Sequence, residues 1–294
     1  MNFRVKPLVF SLCCLIALTG TNSTALAQRD ATATKSRFKD AIDAFVEADK
    51  TNPPPKHSIL FIGSSIFRQW TNLKEQMAPL PVFNRAFGGS QTADILEHMD
   101  SVVLPYEPKV IVYYCGSNDV NAKKSATEIA DRFREFVERV GKKLPQTKIL
   151  YVSINRAPQK QAKWDIVDEA NKRVQEYCER NQHLGFIDVN PALFDNNGNP
   201  RLELYRDDKL HFLEPAYEEF TAIIKPVVAK TWATVQSSAA PVAASTEESE
   251  LGTHGSFSIC RIQTDFDENL PTTLNNKRTV PMPGFFKRRL PHRY

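Results

Sequence analysis

The chain has 294 residues, of which 41% are hydrophobic and 24% charged, the balance of an ordinary globular protein. A formal net charge of +4 is too small to argue for nucleic acid, and no aromatic-plus-basic patch or zinc-type Cys/His spacing supports that class either. That length allows one large domain or two small ones.

The N-terminus reads "MNFRVKPLVFSLCCLIALTGTNSTALAQ". Arg4 and Lys6 precede an apolar run from Leu8 to Leu18, and Ala25-Leu26-Ala27 closes a polar stretch. This is the pattern of a secretory signal peptide over residues 1–27, so export to the periplasm or medium is expected. The apolar run is too short for a stable membrane span. Cys13 and Cys14 lie inside it as passengers. The mature chain keeps Cys115, Cys178 and Cys260. The first two fall on a strand end and an apolar helix face, which suits small core residues.

Residues 36–49 put Phe38, Ile42, Phe45 and Val46 on one helical face. "TNPPPKH" then breaks the chain. Short apolar runs at 59–62, 82–86, 110–115, 149–154 and 185–189 predict five strands covered on both faces. Helices are predicted between them at 92–104, 126–140 and 161–180. The second opens on the Ser125/Glu128 capping box. A last helix should start at Pro215 and kink at Pro226. Strands alternating with helices predict an α/β fold, a three-layer α/β/α sandwich around a five-stranded parallel sheet, over residues 36–235. Residues 236–294 read as a mostly disordered tail. Its last part, from Asn269, carries six Lys or Arg residues and no acid. Such a tail is either simply solvated or suited to an acidic surface.

In an open parallel sheet, ligands bind beyond the carboxyl ends of the strands. Strand one ends in Gly63-Ser64-Ser65, strand two in "NRAFGGSQ" and strand three in "CGSND"; "YRDDKLHF" follows late in the domain. A serine, an Asn, glycine turns and an Asp/His pair are therefore expected on one rim. Acyl transfer needs those types: a hydroxyl, a base to take its proton, a carboxylate to orient the base, and donors aimed at an oxyanion.

The blocks "FIGSSI", "NRAFGGS", "GSND" and "DDKLH", in this order, resemble the SGNH (GDSL-type) hydrolases over roughly residues 57–232. The resemblance implies a flavodoxin-like sandwich with Ser65 as nucleophile and Asp208 and His211 as its partners. It also implies an oxyanion hole of the Ser65 N–H, Gly89 and Asn118. Block one departs from the usual pattern, with Ser64 where Asp is common, as in a Gly-Ser-Ser subset of the family. Ser64 is therefore a rival nucleophile, and Asp207 a rival to Asp208. Asn84 and Arg85 should support the glycine turn, and Asp119 should be structural. His57, His98 and His183 have no catalytic partners at sensible spacing, and His254 and His292 lie in the tail. No ligand cluster suggests a metal, and no G-x-G-x-x-G or Walker-type loop suggests a nucleotide or other cofactor. The implied activity is hydrolysis of small-molecule, lipid or polysaccharide esters. The alternative is a binding protein for carbohydrate or lipid on the same fold.

Overall fold

A computed structural model describes residues 37–239. The expected signal peptide, the tail, Cys260, His254 and His292 lie outside the described residues.

Five strands form one parallel sheet: β1 (Ile59–Gly63), β2 (Val82–Asn84), β3 (Val110–Tyr114), β4 (Lys148–Val152) and β5 (Leu184–Ile187). Their order is β2-β1-β3-β4-β5. Register pairs Ile59 with both Val82 and Val110, and Gly63 with Tyr114. All five were expected; the differences are a residue or two at the ends.

Both faces of the sheet are covered, so the strands read as continuous apolar runs. Leu60, Ile62, Ile111, Tyr113, Ile149 and Tyr151 face one core. That core is closed by α1 (Lys39–Thr51), α4 (Thr92–Glu97), α5 (Met99–Val102), α6 (Ser117–Asn121), α7 (Ala126–Lys143) and α8 (Trp164–Glu179). Ile59, Phe61, Val110, Val112, Tyr114, Leu150 and Val152 face the other. That side is covered by the short helices α2 (Ser65–Arg68) and α3 (Leu73–Met77) and by the long α9 (Glu214–Ala239). The result is the three-layer α/β/α sandwich. Cys115 and Cys178 are both free and buried, as their positions required.

Local chemistry sets the helix ends. Ser125 Oγ accepts from the Glu128 N–H at 3.1 Å, and Glu128 returns the bond to the Ser125 N–H at 2.9 Å. The single helix expected over 92–104 is instead two, interrupted at His98. Pro226 lies inside α9, which continues past it to Ala239. The ring removes one ladder bond, but packing of Phe220, Ile224 and Val228 into the core keeps the helix in place.

The end of β1 is unusually tight. A Cβ on Gly63 would stand 1.9 Å from the Tyr114 carbonyl oxygen of β3. No side chain fits there. Gly63→Ala should therefore destabilise the fold by about 1–3 kcal/mol or more, the range for forced overpacking. Urea unfolding of the purified variant checks this; an unchanged midpoint would refute it.

Candidate active site

Three neighbouring strand ends, those of β2, β1 and β3, carry the glycine turn, the serine turn and the Asn118 turn. Ser64 donates its N–H to the Tyr114 carbonyl at 3.2 Å and is only 1% exposed. The chain then turns at once into α2, so Ser65 is the first helical residue and stays partly exposed. Phe67 anchors this short helix against Phe61, Trp70 and Tyr114, with ring centroids 5.3–5.9 Å apart. Tyr217 of α9 donates to the Ile66 carbonyl at 2.9 Å. Asn84 spans the serine and glycine turns, donating to the Phe67 carbonyl at 2.7 Å and accepting the Ala86 N–H at 2.8 Å.

The Asp/His pair arrives on a hairpin. Tyr205 and Phe212 form an isolated antiparallel bridge, and the Lys209 N–H closes a turn on the Arg206 carbonyl at 2.8 Å. Within it, Asp208 Oδ1 accepts the N–H groups of Leu210 and His211, both at 2.9 Å. Asp208 Oδ2 lies 2.6 Å from His211 Nδ1. On the other side of the ring, His211 Nε2 lies 3.0 Å from Ser65 Oγ. Burial pushes the Asp208 carboxyl up, but the bonds from the His211 ring and the two backbone N–H groups outweigh it and hold it at about 2. Neither Ser64 nor Asp207 has a place in this chain of contacts.

The Asn118 turn is held from below. Gly116, at φ +130°, has Ile154 Cδ1 only 2.4 Å from where a Cβ would stand, so the turn needs glycine on both conformational and steric grounds. Asn118 Nδ2 donates to the Ser90 carbonyl at 2.9 Å. An amide has two N–H donors, so a second remains for a ligand. Among the described residues the backbone N–H groups of Ser65 and Gly89 make no hydrogen bond. Asp119, fully buried, accepts the Thr92 N–H and hydroxyl and pairs with Arg132. It ties the turn to α4. Arg85 is bound to Tyr106 and Asp49 and supports β2.

Sequence reasoning missed Lys160. Its ammonium, in a residue only 4% exposed, donates to the Ser117 carbonyl at 2.8 Å and to the Ser117 hydroxyl. It braces the turn that carries Asn118. No periodicity marks it, since it sits in the irregular Pro158–Lys163 segment. The other histidines lie apart. His57 pairs weakly with Glu107, and His98 packs between Phe38 and Phe87. Two clefts of about 440 and 460 Å³, beside α8 and between α1 and β2, include neither Ser65, Asp208 nor His211. The candidate site lies at the rim of the sheet, apart from both clefts.

A partly exposed hydroxyl, an imidazole and a carboxylate in line can draw a proton from the hydroxyl, and unpaired N–H donors beside it can hold a developing oxyanion. Such an arrangement suits acyl transfer. Residues 61–218 match the GDSL-like Lipase/Acylhydrolase family, and the chain belongs to this SGNH/GDSL family of ester-hydrolysing enzymes. A solved structure from Streptococcus pneumoniae, described as a platelet activating factor, is 21% identical with a TM-score of 0.58; the match covers 71% of this chain and 100% of that one. An acylhydrolase structure from Bacteroides fragilis is 17% identical with a TM-score of 0.56, covering 64% and 95%. A GDSL-like lipase structure from Bacteroides thetaiotaomicron is 17% identical with a TM-score of 0.54, covering 64% and 97%. These likenesses concern the fold. Among curated protein sequences, none matches the chain.

Lys160 supplies a stability test. Burial, helped by nearby Lys163 and opposed by Asp119, lowers its pKa from 10.5 to about 8. Between those values the unfolded chain holds a proton that the folded chain has released, so stability rises with pH. The wild type should gain on Lys160→Met from pH 8 to 10.5. Urea midpoints of both proteins at pH 7, 9 and 10 measure this; a constant gap would refute it.

Proposed function

We propose that the protein is an exported serine esterase that hydrolyses carboxylic esters with short acyl groups, acetyl included, on lipid or carbohydrate. The observation that carries this reading is the continuous contact from Ser65 Oγ through His211 to Asp208. Ser65 attacks the ester carbonyl while His211 Nε2 takes its proton. Asp208 holds the ring by Nδ1 and stabilises the imidazolium that forms. The N–H groups of Ser65 and Gly89 and the free amide N–H of Asn118 receive the oxyanion. His211 then returns the proton to the leaving alcohol, and water repeats the sequence on the acyl enzyme.

Two features support the rest. The leader-like N-terminus supports export. Among the described residues no lid-like apolar insertion interrupts the domain, which supports short acyl chains. Among the described residues no helix is long and apolar enough to cross a membrane.

Ser65→Ala and His211→Ala should each lower kcat on 4-nitrophenyl acetate by about 10³-fold or more. Ser64→Ala should remain active. Asp208→Asn should be severe and Asp207→Asn mild. A dead Ser64→Ala beside an active Ser65→Ala would move the nucleophile. Nitrophenyl esters of rising chain length, together with acetylated xylan, define the substrate range; rates rising steadily to long chains would contradict the short-acyl reading.

Asp208 sets the form of the pH profile. With its carboxyl held at about 2, it is ionised throughout the working range. The acid limb of kcat/KM should therefore carry no ionisation from Asp208. The stability that Asp208 contributes is complete above its ordinary value of 3.8 and is lost as pH falls towards 2. An acid limb of two protons would overturn this assignment.

A further inference from the structure

We propose that Arg68 and Arg37 form a recognition site for an anionic group carried by the ester substrate. The proposal rests on the reading of Ser65 as the nucleophile. Arg68 follows Ser65 by three residues on α2, so the two side chains share one face of that turn. A helical side chain leans back over the turn before it, here towards Ser65. The coordinates agree: Arg68 Cδ and Nη1 both lie 3.3 Å from where a Cβ on Gly88 would stand. The guanidinium is thus laid along the Gly88–Gly89 turn.

Arg37 reaches the same turn separately. Its Nη2 donates to the Gly89 carbonyl at 3.0 Å, and its guanidinium carbon lies 4.8 Å from the centre of the Phe38 ring. Both arginines are exposed. Neither has a carboxylate partner among the described residues. Among the described residues Arg68 makes no hydrogen bond or ion pair, and the only hydrogen bond of Arg37 is to that carbonyl. Most other arginines among the described residues are matched, including Arg85 with Asp49, Arg132 with Asp119, Arg156 with Asp168 and Arg201 with Glu219. Two uncompensated guanidiniums therefore flank a turn whose Gly89 N–H is a candidate oxyanion donor. Asp208, the carboxylate of the triad, is already committed to His211.

A guanidinium presents a planar fork that fits carboxylate and phosphate oxygens in pairs. The ligand is accordingly an ester with a carboxylate or phosphate near the scissile bond, on its acyl or its alcohol side. Neutral esters are turned over at the same serine without that contact. Both arginines face solvent, so the attraction is screened by salt.

The test compares kcat/KM for matched neutral and anionic esters. On the acyl side these are 4-nitrophenyl butyrate and 4-nitrophenyl hemisuccinate. On the alcohol side they are phenyl acetate and 4-acetoxybenzoate. At low ionic strength the wild type should prefer the anionic member of at least one pair by roughly 10-fold, mostly through KM, as a charge-assisted hydrogen bond implies. The pair that responds identifies the side. Arg68→Gln and Arg37→Gln should each reduce that ratio, Arg68→Glu should invert it, and 0.5 M NaCl should shrink it in the wild type. The salt arm needs no variant, so it stands even where a substitution disturbs folding. Equal rates within both pairs, or a preference that survives the double Arg37→Gln, Arg68→Gln change, overturn the proposal. Hydrolysis of the neutral esters tests the esterase reading separately, because it depends on Ser65 and its partners and not on the two arginines.

Discussion

Where β1 meets β3, two backbones approach so closely that nothing larger than hydrogen fits between Gly63 and the Tyr114 carbonyl. Most of the site depends on this approach. The same carbonyl accepts the Ser64 N–H, which ends the strand and starts the turn into α2. Ser64 is used up as a buried corner, and the next residue emerges at the rim. One residue beyond Tyr114's neighbour Cys115, Gly116 begins the turn that bears Asn118. The serine and asparagine turns are thus two products of one contact.

The rest of the site is organised around that corner. Asn84 links the glycine turn to α2, Lys160 and Asp119 fix the Asn118 turn from opposite sides, and α9 secures α2 through Tyr217. These are buried polar groups bonded to backbone or to each other, as groups removed from water must be. The hairpin from Tyr205 to Phe212 then brings Asp208 and His211 to Ser65 from a position 146 residues further along the chain.

The sheet was legible because its strands are buried on both faces and therefore spell unbroken apolar runs, as in "ILFI" and "VIVYY". The proposed site was legible because its residues lie where strands end. Spacing also favoured Asp208 over Asp207, since one carboxylate can accept two backbone N–H groups of its own turn and still face the ring. Sequence could not reveal Lys160, whose partner is a backbone carbonyl 43 residues away in an irregular segment. It could not foresee the break at His98 either, because Leu96 and Met99 on either side keep helical spacing. The short helix α2 escaped notice for a related reason: a single turn has no period to detect. Its rigidity comes from tertiary contacts of Phe67 and Ile66.

Ser65 and its two proposed partners do not share the same mechanical footing. The serine stands on a strand end locked against β3 at the close approach of Gly63 to Tyr114. Asp208 stands on the exposed tip of a hairpin, with His211 just beyond it. The foot of the hairpin, Tyr205 and Phe212, is buried in the core, and the base of the proposed triad meets the nucleophile through one contact between ring and hydroxyl. A shift of that tip alone would separate base from nucleophile while Tyr205, Phe212 and the sheet stayed packed. Such a shift costs less than global unfolding. On warming, the enzyme would fall silent while still folded and recover when cooled, its hairpin acting as a reversible fuse.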